Sequence, residues 1–300
     1  MRVKATDTLS AVARHEKTEK RWYVARLTPL AAFLTIFFVA PFVILFMYSF
    51  GSSTIFELKF GSNFENWSSA LTDSFFRTLL FRSIVNGVMV GVISVLLAFP
   101  FAYAITLGPL RKHSEFFLFA VLISLFSAYV VRIYAWRTLL GQSGIINEGL
   151  GVVGLGPYDW LLFNREAVVV TLVNVLVPMA VLPIYSSLAQ VDPALIEAAR
   201  DSGAGTWRTL YSVTLPLASR GLNAGFALCF LIAAGDYVTP QFVGGIDGQM
   251  LGNVIAEQFG VAFNWPLGSA LAFMLVGAMG VVVALWLFLM RLLKFTGPLR

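Results

Sequence analysis

Residues Glu197–Pro216 read EAARDSGAGTWRTLYSVTLP. This polar segment, broken by Gly203 and Gly205, lies between long apolar ones in a chain that is 58% hydrophobic. Just upstream, Asp192-Pro193 is a helix start: Asp caps the first free N–H groups, and Pro fits the first turn, where its missing N–H costs nothing. ALIEAAR continues the helix, with Ala198 and Ala199 small enough for close packing. Gly203 is placed to end it, because glycine accepts the left-handed conformation at a helix C-terminus. Ala204-Gly205-Thr206 then turns, Thr206 caps a second helix, WRTLYSVTL, and Pro216 marks the return to apolar sequence. The expectation is a helix-turn-helix elbow over about residues 190–217. A plain solvated loop is the alternative. Against it stand Trp207, Leu210, Tyr211 and Val213, rimmed by Arg200, Asp201 and Arg208, an apolar patch that suits a partner surface.

The rest of the chain says where such an elbow would sit. Soluble domains are about a quarter charged; this chain is 12% charged, with 27 Phe and a mean hydropathy of +0.80. So much apolar side chain needs a bilayer, and the class is an all-α integral membrane protein. Cys229 is the sole cysteine and lies in an apolar run, and the two histidines, His15 and His113, fall in charged stretches. No metal site and no disulfide framework is expected. The net charge of +5 could signal nucleic acid, but most of the basic residues flank apolar segments, so no nucleic-acid partner is expected.

Charge-free runs cover 27–56, 83–110, 116–131, 167–191, 221–235 and 258–290, which read as six transmembrane helices. With the N-terminus in the cytosol, the inside segments hold fifteen Lys/Arg and the outside loops hold Lys59, Arg77, Arg82 and Arg165. That bias places both termini in the cytosol. The organisation is a basic tail over 1–26, a transmembrane domain over 27–292 carrying the elbow, and a short cytosolic tail over 293–300. A cleaved signal peptide is not expected, because the first apolar run follows a 26-residue charged tail and is too long for one. The tail's bases can lie against anionic lipid head groups or serve only as a topology signal.

Glu197-Ala198-Ala199, then Gly203, Val213 and Leu215-Pro216, follow the pattern EAA-x3-G-x9-I-x-LP, with Val in place of Ile. The pattern resembles that of the permease subunits of type I ABC importers. From about residue 80 to 292, RIYAWRTLLGQSGIINEGL, LPIYSSLAQVDPALIEAARDSGA, GDYVTPQFVGG and LGNVIAEQFGVAFNWPLGSALA look like the spermidine/putrescine importer permeases, of the first-permease type. The resemblance implies that Glu197, Ala198, Ala199, Asp201, Gly203, Leu215 and Pro216 belong to a coupling elbow that docks on a cytosolic ATPase. It further implies two ATPase subunits, a second homologous permease, an extracytoplasmic solute-binding protein and a place in the bacterial inner membrane. Polyamine is the cargo it implies first; another amine, an opine or an amino-acid derivative is the alternative. No lysine of this chain sits in a GxxxxGK[ST] loop, so ATP and Mg are expected on the partner and no cofactor here.

Ionisable residues inside spans are candidates for the solute path. On straight helices, Arg132 and Asp236 would lie at similar depth, roughly 22–25 Å from the cytosolic side. Opposite sign at equal depth makes them candidates for a pair, or each simply reaches interfacial water. Trp136 and Tyr237, beside them, can belong to an aromatic belt or to a cage for a cation. Glu257 adds a carboxylate near Phe259 and Trp265. The outside loops are net acidic, with Glu57, Glu65, Asp73, Glu148, Asp159, Glu166, Asp247 and Glu257. Pro100 and Pro178 can kink their spans and free carbonyls for a path, or serve packing alone. A stand-alone secondary transporter would need a coupling-ion site and usually inverted repeats. A membrane enzyme would need a nucleophile–base pair or metal ligands at depth, which the sequence lacks.

Overall fold

The computed structural model describes residues 26, 28–30, 32–53, 58–155, 158 and 161–292. The basic tail short of Arg26, the last eight residues, Glu57 and Asp159 lie outside these described residues. Along the chain run α1 (Thr28–Tyr48), α2 (Glu65–Thr72), α3 (Ser74–Thr106), α4 (Ser114–Phe126), α5 (Tyr129–Leu140) and α6 (Ile145–Val152). They are followed by α7 (Arg165–Leu188), α8 (Pro193–Asp201), α9 (Thr206–Gly235), α10 (Leu251–Gly260) and α11 (Trp265–Leu292). A two-residue antiparallel ladder, Ser52–Ser53 on Leu58–Lys59, closes the loop after α1.

Five helices, α1, α3, α7, α9 and α11, are long and apolar enough to cross a membrane. The remaining expected span, the third along the chain, is a bent pair, a broken span or a re-entrant loop: Arg111–Phe126 and Tyr129–Val152 meet at 90°. Ser127 and Ala128 take extended backbone (ψ 131° and 127°), which ends α4 and starts α5 in a new direction. The third crossing is therefore not the straight helix assumed above, and the depth inferred for Arg132 does not hold.

The core is a triangle of α3, α7 and α9. In hydrocarbon, helices associate by close packing rather than by the hydrophobic effect, so small residues mark the contacts. Gly87 abuts Ala234 and Phe230, Gly91 abuts Phe226, and Gly221 abuts the Pro183 carbonyl and Ser187. Val90, Leu172, Leu176, Ile184 and Ala233 fill the space between them. A second cluster packs α11 against α2 and α10 through Ala70, Leu251, Val254, Leu271 and Met274. α1 meets this body near its end, where Phe46 meets Trp67 and Phe273 edge-on.

The fifth span begins earlier than its charge-free run. α9 starts at Thr206 and continues to Gly235 as one 30-residue helix, so the second arm of the elbow is not a separate cytosolic helix. Leu210–Thr214 is wound as a π turn immediately before Pro216. Proline cannot donate to the carbonyl four residues back, and the wider turn lets the helix continue past it instead of breaking. Pro216 thus lies inside α9 and marks no re-entry.

Candidate functional site

The elbow is built by local chemistry. Asp192 accepts a hydrogen bond from the Ala194 N–H at 2.9 Å, and Pro193 occupies the first turn of α8. One side of α8 is anchored by Ile196, which is buried. Glu197, Ala198 and Asp201 are exposed, and Ala199 is half-buried. At the far end the Gly203 N–H donates to Arg200 and the Ala204 N–H to Ala199, at 2.9 and 3.0 Å. This pair of bonds closes a helix through a left-handed residue, and Gly203 has φ +80°. A Cβ there would meet nothing within 4 Å, so the position needs glycine's backbone and not its lack of bulk.

The corner that follows differs from the expectation. Gly205 is the N-cap of α9, in extended backbone and without a side-chain bond, while Thr206 is the first helical residue and caps nothing. The holding contact comes from Thr209, which is buried and whose hydroxyl donates back to the Gly205 carbonyl at 3.2 Å. The apolar patch is also smaller than its four candidates. Trp207 and Tyr211 are 72% and 56% exposed and stack on one another, whereas Leu210 and Val213 are half-buried. Leu215 and Pro216, both half-buried, follow in α9. In the crook a cleft of about 360 Å³ is lined by Asp192, Leu195, Pro216, Leu217 and Arg220, among others. The elbow thus presents an aromatic knob carried at the start of a membrane helix.

The other five candidates fall into three places. Asp236, 9% exposed, stands just past the end of α9 and accepts from the N–H groups of Val238 and Thr239 at 3.2 and 3.0 Å. Tyr129, at the start of α5, meets the Thr239 hydroxyl at 2.8 Å and lies against the Asp236 carboxylate. Arg132 donates instead to the Val175 carbonyl and the Ser124 hydroxyl, at 3.4 and 3.3 Å. Arg132 and Asp236 are therefore not a pair. The break at Ser127 turns α5 aside, and the chain's own backbone already holds the carboxylate.

Arg132 and Trp136 line a pocket of about 520 Å³ between α3, α4, α5 and α7, together with Ser124 and Asn174. Tyr237 and Glu257 share a different pocket, of about 620 Å³, with Gln241, Gln249 and Asn253. Charge counting missed two neutral residues within the apolar runs. Asn86, buried in α3, accepts from the Arg165 Nε and so ties the first residue of α7 to α3. Asn174, in mid-α7, faces the Arg132 pocket. A polar amide inside a spanning run was the available signal for both.

Comparison with known proteins places this geometry. The family model for binding-protein-dependent transport system inner membrane components matches residues 33–295. The spermidine/putrescine transport system permease protein PotB of Haemophilus influenzae is 33% identical over 232 residues, 74% of this chain and 80% of that one. PotB of Escherichia coli is 32% identical over 233 residues, covering 77% and 83%, and the E. coli inner membrane ABC transporter permease protein YdcU is 30% identical over 230, covering 72% of each. Among solved structures, a chain of a bacterial alginate ABC transporter in complex with an alginate-bound periplasmic protein aligns with TM-score 0.64. It has 18% identity and covers 94% of this chain and 99% of that one, a likeness of fold.

Proposed function

The chain belongs to the binding-protein-dependent transport system inner membrane components, the permease subunits of ABC importers, and from that premise we propose that its cargo is a small organic amine of the spermidine/putrescine kind. The observation that carries the reading is the family match over 33–295, which includes the elbow. Similarity to the PotB proteins supports the choice of cargo. So does the pocket of Tyr237 and Glu257, since a carboxylate and an aromatic face attract an ammonium group.

In this reading the elbow and both termini face the cytosol. Two ATPase subunits, carrying ATP and Mg, dock on the elbows of this chain and of a second, homologous permease; Glu197, Ala198, Ala199, Asp201 and Gly203 form the docking arm. Closure of the ATPases pushes on Trp207 and Tyr211, and α9, about 45 Å long, carries that displacement across the membrane. An extracytoplasmic binding protein delivers the solute to the outer face. The bundle then alternates between outward and inward access, with no chemistry on the solute.

The test is recovery of this chain with its companions from its native membrane in gentle detergent, then ATP-driven uptake of radiolabelled putrescine and spermidine by the reconstituted complex. An ATPase that co-purifies with the native chain and is lost in Glu197→Lys supports the docking arm. Uptake that needs ATP and the binding protein supports the cargo. A chain recovered alone, or a complex that imports neither amine, overturns the corresponding half.

A further inference from the structure

The Arg132 pocket has a chemistry that an amine cargo alone does not explain. Its lining is Ile93, Leu97, Val169, Val170, Val173, Val177 and Pro178 around four polar side chains, and it holds no carboxylate. Among the described residues, Arg132 has no acidic partner, only the two long hydrogen bonds to Ser124 and Val175. The Asn174 carboxamide and the Trp136 indole N–H make no hydrogen bond among the described residues. Asn174 is exposed and Trp136 half-buried, so both donors are open to a ligand, and polar side chains within spans mark binding paths. With the ends of the 24-residue α7 at the two interfaces, Asn174, nine residues in and about 14 Å along it, lies deeper than a lipid phosphate does.

We infer that Ser124, Arg132, Trp136 and Asn174 form a station on the solute path that receives an oxygen acceptor, most simply a carboxylate, carried by the passing solute. This rests on the reading of the chain as an importer permease and widens its cargo from simple amines to amines that also bear an acidic group. The guanidinium supplies charge and a two-pronged donor, and the carboxamide and indole add further donors. The second pocket, where Glu257 has no cationic partner among the described residues, suits the amine end of such a molecule. The two sites are linked by structure. Tyr129, three residues before Arg132, contacts Thr239, which stands between Tyr237 and Gln241 of the other pocket.

The station can be tested without knowing the cargo. Asn174→Cys places a thiol in the pocket, and the native Cys229, fully buried, stays as a silent background. In the assembled transporter, in nanodiscs of neutral phosphatidylcholine, labelling by an anionic sulfonatoethyl and a cationic trimethylammonioethyl methanethiosulfonate is compared, each normalised to a free thiol. One guanidinium favours an anionic over a cationic reagent roughly tenfold at a separation on the order of 6 Å in a water-like dielectric. That preference disappears with Arg132→Gln. Ornithine slows the labelling more than putrescine, which is the same diamine without the carboxylate. Leu97→Cys, on the α3 wall, repeats the measurement where Asn174→Cys does not assemble. Equal rates, no labelling by either reagent, or a preference that survives Arg132→Gln overturns the station. A preference lost on adding anionic lipid assigns the pocket to a head group and also overturns it. Putrescine uptake by the unmodified complex is unaffected by any of these results, so the two readings fail separately.

Discussion

Gly221 and Gly225 lie one turn apart on the face of α9 that meets α7, and the structure gives them opposite tolerance for a single methyl group. A Cβ on Gly221 would lie 2.3 Å from the Pro183 carbonyl oxygen, 2.6 Å from the Ser187 Cβ and 2.9 Å from the Ile184 Cα. Two of those atoms are backbone of α7, so relief requires the helices to part by about an ångström. On Gly225 the same atom would find Ala180 at 3.4 and 3.6 Å and the Ile184 Cδ1 at 3.6 Å, which is ordinary contact. Within a helix, Ala is favoured over Gly by about 1 kcal/mol, and overpacking a tight contact costs about 1–3 kcal/mol. Gly225→Ala should therefore be neutral to about 1 kcal/mol stabilising. Gly221→Ala, at the upper end of the overpacking range, should cost about 2 kcal/mol net. A gap of about 3 kcal/mol corresponds to roughly 6 °C in melting temperature for a chain of this size. Thermal unfolding of the purified complex in detergent reads the gap directly. Because this crossing lies just beyond the elbow, ATPase stimulation by loaded binding protein should fall with Gly221→Ala and persist with Gly225→Ala. Melting temperatures within a degree of one another, or a greater loss from Gly225→Ala, would refute the packing argument.

Three further outcomes follow from the geometry. Gly203→Val forces a β-branched residue to φ +80°, at a cost of about 1–2 kcal/mol, while Gly203→Asn tolerates that backbone; ATPase capture should drop about 5- to 30-fold with Val and stay within about threefold with Asn. Trp207→Ala combined with Tyr211→Ala should leave the melting temperature of the chain unchanged, because both rings are more than half exposed, yet should abolish ATPase capture; a lower melting temperature with capture intact would make them packing residues. Arg132→Gln and Asp236→Asn should add within about 0.5 kcal/mol in a double-mutant cycle on stability, since Arg132 bonds to Ser124 and Val175 and Asp236 to Val238 and Thr239; a coupling above about 1 kcal/mol would restore the ion pair.

Local chemistry was legible in the residues, and geometry that depends on distant partners was not. Asp192, Pro193 and Gly203 each act within a few residues of themselves, so the first arm of the elbow could be read from spacing alone. The break at Ser127–Ala128 carries no proline or glycine, so the sequence reads as a straight span, and a depth for Arg132 counted along a straight helix does not apply. The same assumption placed Asp236 inside a helix when it stands just past the end of one. Counting charges had a second blind spot, because it passes over neutral amides. Asn86 and Asn174 lie in runs that look uniformly apolar, yet in hydrocarbon an amide needs partners almost as much as a charge does. Asn86 has found its partner within the chain, the side chain of Arg165, and its role is architectural. Asn174 has not, and it faces a pocket whose one cation also lacks a counter-charge among the described residues. Two amides of the same kind in comparable runs are thus told apart by whether the fold satisfies them, and the unsatisfied one is where something from outside the chain should bind.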